Sequence, residues 1–248
     1  MLGADRIEFW FTDRHGIAGG SGDVSVPTAD PRYAGFNLAD HVGDDPARVR
    51  SHRSELAHVV GASVTFMNQV HGHRVAVIGP GDANGEPPEA DALVTQVPGR
   101  PLAVLVADCL PILMYQPEVE VCAAVHAGRR GIELGVLEAT VSAIGEFGSD
   151  PSGIRVLIGP SIGPCCYEVP AAMRDELAAA VPVAAARTTW DTPSIDLRAA
   201  ARAQLAAVGV QDVAVSPVCT YTSPDHHSYR RDGVTGRFAG IVSLRAAG

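Results

Sequence analysis

The sequence predicts an α+β fold, and three observations lead to it. Strand-like apolar runs and helix-period segments alternate irregularly, without a repeating β-α-β unit. No internal repeat recurs, and no charged or Pro/Ser-rich linker divides the chain. At 248 residues and 46% hydrophobic content it is long enough for one large core, so we read a single domain over residues 1–248.

The elements follow in order. Ile7–Thr12 alternates as a strand, and Asp13 to Pro27 is a Gly-rich loop. Asp45-Pro46 is an N-cap followed by proline at the first helical position, opening a helix to about Val60. Ser63–Gln69 and Arg74–Ile78 read as strands joined by a turn carrying His71-Gly72-His73. Leu102–Ala107, Ile112–Tyr115 and Val121–Val125 are β-rich runs that we expect to be buried. In Gly131–Phe147 the apolar positions Ile132, Val136, Leu137, Val141 and Ile144 recur at helical spacing. Ile154–Ile158 is a strand, Ala171–Val181 and Leu197–Val208 are Ala-rich helices, and Val213–Val215 and Phe238–Leu244 are the closing strands.

Composition removes several functions. The formal charge is −9 and aromatic content only 5%, against the basic, ring-bearing face that nucleic acid requires. The 19 basic residues are all arginine. Without lysine there is no Schiff-base nucleophile, pyridoxal attachment or P-loop cation. The N-terminus lacks the basic and apolar blocks of a secretory signal, and no run of 18 apolar residues offers a membrane span. Five cysteines without framework spacing suit a reducing compartment, so we expect a cytoplasmic protein with no membrane or nucleic-acid partner.

Three short segments concentrate the chemistry: Asn68-Gln69-Val70-His71-Gly72, Ala107-Asp108-Cys109-Leu110-Pro111 and Ala124-Val125-His126-Ala127-Gly128. Each sets one good ligand at the end of a strand-like run, beside glycine or proline. Cys109 lies 38 residues after His71, and His126 a further 17 on, far from the local pairing of zinc knuckles. If the fold brings them together, two imidazoles and a thiol make three protein ligands with a fourth position open, the catalytic zinc pattern. Asp108 would be costly to bury in that apolar run unless paired, so it reads as a carboxylate orienting an imidazole or a substrate hydroxyl.

Other constellations weigh less. Gly159-Pro160-Ser161-Ile162-Gly163 matches a nucleophile elbow, and Ser161, Asp196 and His226 fall in a triad's order. An elbow needs a helix directly after its serine, whereas Ile162–Cys166 intervenes here; we expect a tight loop. Cys165-Cys166 reads as packing, because neighbouring cysteines rarely pair and no C-x-x-C is present. His73 and His226-His227 read as solvated loop residues. Tyr229-Arg230-Arg231-Asp232-Gly233 is either an exposed hairpin or an anion or base-edge contact, and Arg53 carries the same two readings.

Taken with Phe36-Asn37-Leu38, His41–Pro46, Asp91–Thr95, Ile158–Val169, Cys219-Thr220 and Ser228–Gly233, the three segments resemble the laccase-domain polyphenol oxidase family from about Phe11 to Ile241. Its members are described as purine nucleoside phosphorylases with adenosine deaminase and methylthioadenosine phosphorylase activity, and some as peptidoglycan editing factors. The resemblance implies mixed β-sheets flanked by helices and one zinc or copper held by His71, Cys109 and His126. It places the family's active-site arginine at Arg53 and makes purine nucleosides and phosphate the partners. Asn37, Arg230 and Arg231 are then expected substrate contacts, and Cys109, His126, Arg53 and Asp108 the catalytic set. One departure is notable: Arg129 stands where the family usually has tryptophan.

A multicopper oxidase does not fit nine histidines with a single H-x-H pair, so phenol oxidation would be a side activity of a copper-loaded site. A metal-free hydrolase, with Cys109 as nucleophile and His126 as base in peptidoglycan precursor editing, is the competing enzyme reading. A non-enzymatic partner-binding protein would leave the polar residues at strand ends unexplained. We expect a monomer.

Overall fold

A computed structural model describes residues 6–17 and 30–246. Residues 18–27 of the expected Gly-rich loop lie outside them. The architecture is α+β, in four layers: helix, sheet, sheet, helices.

The strands are β1 (Ile7–Asp13), β2 (Gly16–Ile17), β3 (Val75–Val77), β4 (Ala92–Thr95), β5 (Leu102–Val106), β6 (Leu110–Gln116), β7 (Val121–Ala127), β8 (Arg155–Ile158), β9 (Ala185–Arg187), β10 (Pro193–Ile195), β11 (Asp212–Val215) and β12 (Phe238–Leu244). The helices are α1 (Pro46–Val60), α2 (Arg129–Glu133), α3 (Val136–Gly145), α4 (Ala171–Ala180), α5 (Leu197–Ala207) and α6 (Tyr229–Asp232). One sheet runs β2-β1-β12-β5; the other is mixed, in the order β11-β8-β6-β7-β4-β3, with its outer pairs parallel and its centre antiparallel. β9 and β10 form a separate hairpin. Among the described residues no helix is long and apolar enough to cross a membrane.

Strand alternation assigns each layer its contacts. Leu113, Tyr115, Cys122 and Ala124 face Leu102, Val104, Val106, Phe238 and Val242 between the sheets. The alternate positions Ile112, Met114, Ala123 and Val125 pack under α2, α3 and α5. On the far side, Ala103, Leu105 and Ile241 pack with Phe36 and Leu38 against Leu56 of α1. The central strands are buried along their whole length, which is why they read as continuous apolar runs.

Local signals hold at α1. Asp45 accepts from the Ala47 amide at 2.8 Å, and Gly61 closes the helix in the left-handed region. Two expectations are corrected. The helix over Gly131–Phe147 is two helices broken at Gly135 (φ 81°); the periodicity continues because both pack on one sheet face. Ser63–Gln69 is no strand: it makes only isolated bridges, Thr65 to Leu102 and Asn68 to Glu89, since its two ends pair with different neighbours. Gln69 uses its side-chain amide instead, donating to the Leu105 carbonyl (2.8 Å) and accepting from the Leu105 amide (2.9 Å).

Candidate metal centre

The loop before β3, the crossover from β5 to β6 and the end of β7 meet at one end of the two-sheet stack. The β6–β7 register sets Pro111 opposite His126, and Cys109 stands in the crossover just before β6. His71 sits in the left-handed region (φ 58°), as does Asp108 (φ 92°), so backbone strain is concentrated at two of the three segments. The ligand atoms of His71, Cys109 and His126 lie within 4.8 Å of one another, and the two imidazoles meet edge to face at 4.7 Å.

The donor set fits a metal, and the space around it does too. A Cβ on Gly128 would stand 3.0 Å from Cys109 Sγ and 3.3 Å from His71 Cδ2, so only glycine leaves the cluster its room. Burial pushes the Cys109 thiol up, but the neighbouring His126 and His71 outweigh it and bring it down to about 6. Burial in turn pushes His126 down, while Cys109 and Asp91 bring it up to about 9. The group thus behaves as a preformed anionic sulfur between imidazoles, and could hold a cation.

Asp91 orients the set. Its Oδ1 lies 2.8 Å from His126 Nδ1 and accepts from the His71 amide (3.0 Å), while Oδ2 accepts from the Gly72 amide (2.6 Å). Engaging Nδ1 leaves His126 Nε2 as the free nitrogen. Of the two roles expected of Asp108, orienting an imidazole or a substrate hydroxyl, the imidazole is held by Asp91 instead. Asp108 accepts from the Thr220 hydroxyl (Oδ1, 2.6 Å) and from the Arg230 amide (Oδ2, 2.6 Å), so it holds the C-terminal loop against the centre. The available signal for Asp91 was an acid at the mouth of an apolar strand.

A cavity of about 390 Å³ opens on the cluster, lined also by His41, Gln69, Tyr167, Tyr229, Arg230 and Arg237. The Arg230 guanidinium lies 5.0 Å over the Tyr167 ring, and that of Arg237 lies 5.9 Å from the Tyr229 ring. Tyr167 and Arg237 were not singled out from the sequence as substrate contacts. Ser228–Gly233 is the short helix α6, capped by Ser228, rather than a hairpin.

Three expected residues lie elsewhere. Asn37 is fully buried, its amide spent on Ala39, Asp44 and Arg237, so it is a structural bracket and not a wall of the cavity. The Arg231 guanidinium is committed to the carbonyls of Thr220, Ser223 and His226 and to Asp232. Arg53 stacks 4.3 Å over Phe66, donates to the Leu38 carbonyl and pairs with Asp40 at 3.0 Å. It lines an adjoining cavity of about 410 Å³ that shares His41, Gln69 and Leu105 with the cluster's own.

Ser161, Asp196 and His226 form no triad. Ser161 accepts from Arg198 Nε (2.9 Å), Asp196 caps α5 and His226 contacts Ser223. His227 is not solvated as expected but fully buried against Thr235. Arg129, singled out above as a departure from the resemblance, opens α2 and pairs with Glu133 at that helix's last position.

The chain is similar over nearly its whole length to known proteins. The chain is 48% identical over 239 residues to a purine nucleoside phosphorylase of Streptomyces coelicolor, covering 95% of each chain. It is 38% identical over 231 residues, 90% of each chain, to the purine nucleoside phosphorylase YfiH of Escherichia coli. Its fold superposes on YlmD of Geobacillus stearothermophilus with a TM-score of 0.86 at 31% identity, covering 98% of this chain and 95% of that one. Protein NMB0706 of Neisseria meningitidis gives 0.85 at 33%, with 98% and 96% covered. Residues 10–245, which include every side chain of the cluster and its cavity, match the family described as multi-copper polyphenol oxidoreductase laccase, and the chain belongs to that family.

Proposed function

We propose that this protein is a purine nucleoside phosphorylase acting on adenosine, inosine and methylthioadenosine, with adenosine deamination as a second activity. The observation that carries the reading is one cavity in which the His71–Cys109–His126 cluster faces two arginine–tyrosine pairs. Relatives named for this activity, up to 48% identical, support it. Arg230 and Arg237 offer guanidinium forks to phosphate, and the tyrosine rings offer faces to a purine. A phosphate oxygen forms a bond to the anomeric carbon as the glycosidic carbon–nitrogen bond breaks. Its electron pair leaves with the base, which takes a proton. Burial pushes the Tyr167 phenol up, keeping its hydroxyl a donor within the cavity. Zinc held by His71, Cys109 and His126 would supply Lewis-acid polarisation of a phosphate or water oxygen, and copper on the same ligands would give phenol oxidation as a side reaction.

A second reading has its own observation. Cys109, His126 and Asp91 stand in line, sulfur to imidazole to carboxylate, as a metal-free cysteine hydrolase would need. One experiment separates the two: turnover of the three nucleosides with and without phosphate, before and after chelation, alongside Cys109 alkylation by iodoacetamide. The phosphorylase reading expects chelation to abolish turnover and to speed alkylation, with zinc restoring unalkylated protein. Full activity in metal-free protein, killed by alkylation, would replace it with the hydrolase.

A further inference from the structure

A second set of sulfurs lies behind the cavity, outside the chemistry proposed above. The segments following β8 and β11 run side by side, tied by the Ser161 amide to the Val218 carbonyl (3.3 Å) and the Thr220 amide to the Ser161 carbonyl (3.0 Å). That pairing sets Cys219 against Cys165 and Cys166. Sγ of Cys165 is 3.7 Å from that of Cys219 and 3.2 Å from that of Cys166, and all three sulfurs lie within 4.8 Å of one another. The sequence reading of packed neighbouring thiols missed the third member, which stands 54 residues from Cys165.

The surroundings suit a thiolate at Cys219, whereas burial pushes the Cys165 and Cys166 thiols up, so a cation is what would draw their protons off. The Gly163 amide donates to Cys219 Sγ at 3.2 Å, and nearby backbone amides hold that thiol below its usual range against the upward push of burial. Such backbone donors spread the charge of a metal-bound thiolate without a neighbouring side chain. Cys165 and Cys219 are half-buried, and Cys166 lines an open cleft of about 640 Å³, so an ion and a fourth, water ligand can reach the cluster. Sulfurs about 2.3 Å from a tetrahedral zinc stand roughly 3.8 Å apart. The Cys165–Cys219 spacing already meets this, and the Cys165–Cys166 pair meets it by opening about half an ångström through side-chain rotation.

We propose that Cys165, Cys166 and Cys219 form a second metal site, with three sulfur ligands from the protein, that takes zinc with water in the open fourth position. Binding transfers the thiol protons to solvent and changes no oxidation state. The bound ion ties the two segments together directly behind the cavity. Thr220, next to Cys219, donates to Asp108, and Tyr167, next to Cys166, forms part of the cavity wall.

The test is zinc titration of metal-free, reduced protein, followed by alkylation and mass mapping. Unaltered protein is expected to bind two equivalents and Cys109→Ser to keep one, with zinc raising its Tm. In that variant zinc should shield Cys165, Cys166 and Cys219 from iodoacetamide. Adding Cys219→Ser should remove both the remaining equivalent and the rise in Tm. A single equivalent in unaltered protein would overturn the site. So would three thiols alkylated equally with and without zinc, or a Cys165–Cys219 disulfide forming in zinc-saturated protein. The alkylation map of the unaltered chain decides the matter even if the Cys219 variant does not fold.

Discussion

Asp91 couples two ligand segments through one carboxylate: its Oδ1 meets His126 Nδ1 at 2.8 Å and the His71 amide at 3.0 Å. The β4–β7 register, Ala92 opposite Val125, brings the acid beside His126, and the backbone repeats the link with the His126 amide donating to the Asp91 carbonyl. A fully buried acid is costly unless every oxygen is satisfied, and here both are.

Asp91→Asn should therefore weaken zinc binding by about 10- to 100-fold. The substitution keeps the shape, but its amide must turn an N–H₂ towards backbone amides that are themselves donors. Competition titration against a chromophoric chelator reads the change. Affinity equal to that of the unaltered protein would show that Asp91 serves the fold alone.

Much of this centre was legible because Cys109 and His126 stand at the ends of apolar runs that the fold uses as the buried strands β5 and β7, whereas His71 follows a segment that makes only isolated bridges. Asp91 was not, since its partner is set by strand pairing that no local pattern reveals. Asp108 drew attention for the right reason, a buried acid in an apolar run, but its partners Thr220 and Arg230 lie more than 100 residues downstream. The break at Gly135 was hidden because two short helices on one sheet face keep a single periodicity. Asn37 and Arg231 belong to matched segments, yet their polar atoms are spent on backbone groups and on the neighbouring carboxylates of Asp44 and Asp232. A motif therefore located the region without giving each residue's work.

Arg237 and Arg53 offer rival places for phosphate. Arg237 shares the cluster's cavity, its Nη1 donating to the Thr235 and Gly236 carbonyls and its other guanidinium nitrogens left for an anion; burial lowers its pKa, and Cys109 and Asp108 oppose the shift. Arg53 points into the adjoining cavity with its guanidinium partly engaged by Leu38 and Asp40. Arg237→Lys keeps the charge and loses the fork, so kcat/KM for phosphate should fall about ten-fold, equivalent to about 1.4 kcal/mol. Arg53→Lys should cost less. Steady-state phosphorolysis with varied phosphate decides, and a larger loss in the Arg53 variant would move the anion into the neighbouring cavity.

His227 makes a prediction about stability against pH. It is fully buried, with Nδ1 3.2 Å from Thr235 Oγ1 and its ring against Gly236. Burial, reinforced by the Arg14 charge, pushes it down to about 3, while backbone contact with Phe36 and the Asp232 carboxylate only partly oppose that. The unfolded chain takes up a proton on this residue near pH 6.5, and the folded chain refuses it until near pH 3. Between those values the unfolded state binds more protons, so stability falls as pH falls, by about 1.4 kcal/mol per pH unit at the steepest. Above pH 6.5 the residue is neutral in both states and contributes no slope. His227→Gln removes the titration, so its unfolding free energy should fall less steeply from pH 6.5 to 4.5. Urea denaturation of both proteins across that window measures the difference in slope, which cancels the carboxylates they share. Equal slopes would mean that His227 is protonated in the folded state, and that the pocket between Arg14, Thr235 and Gly236 admits water.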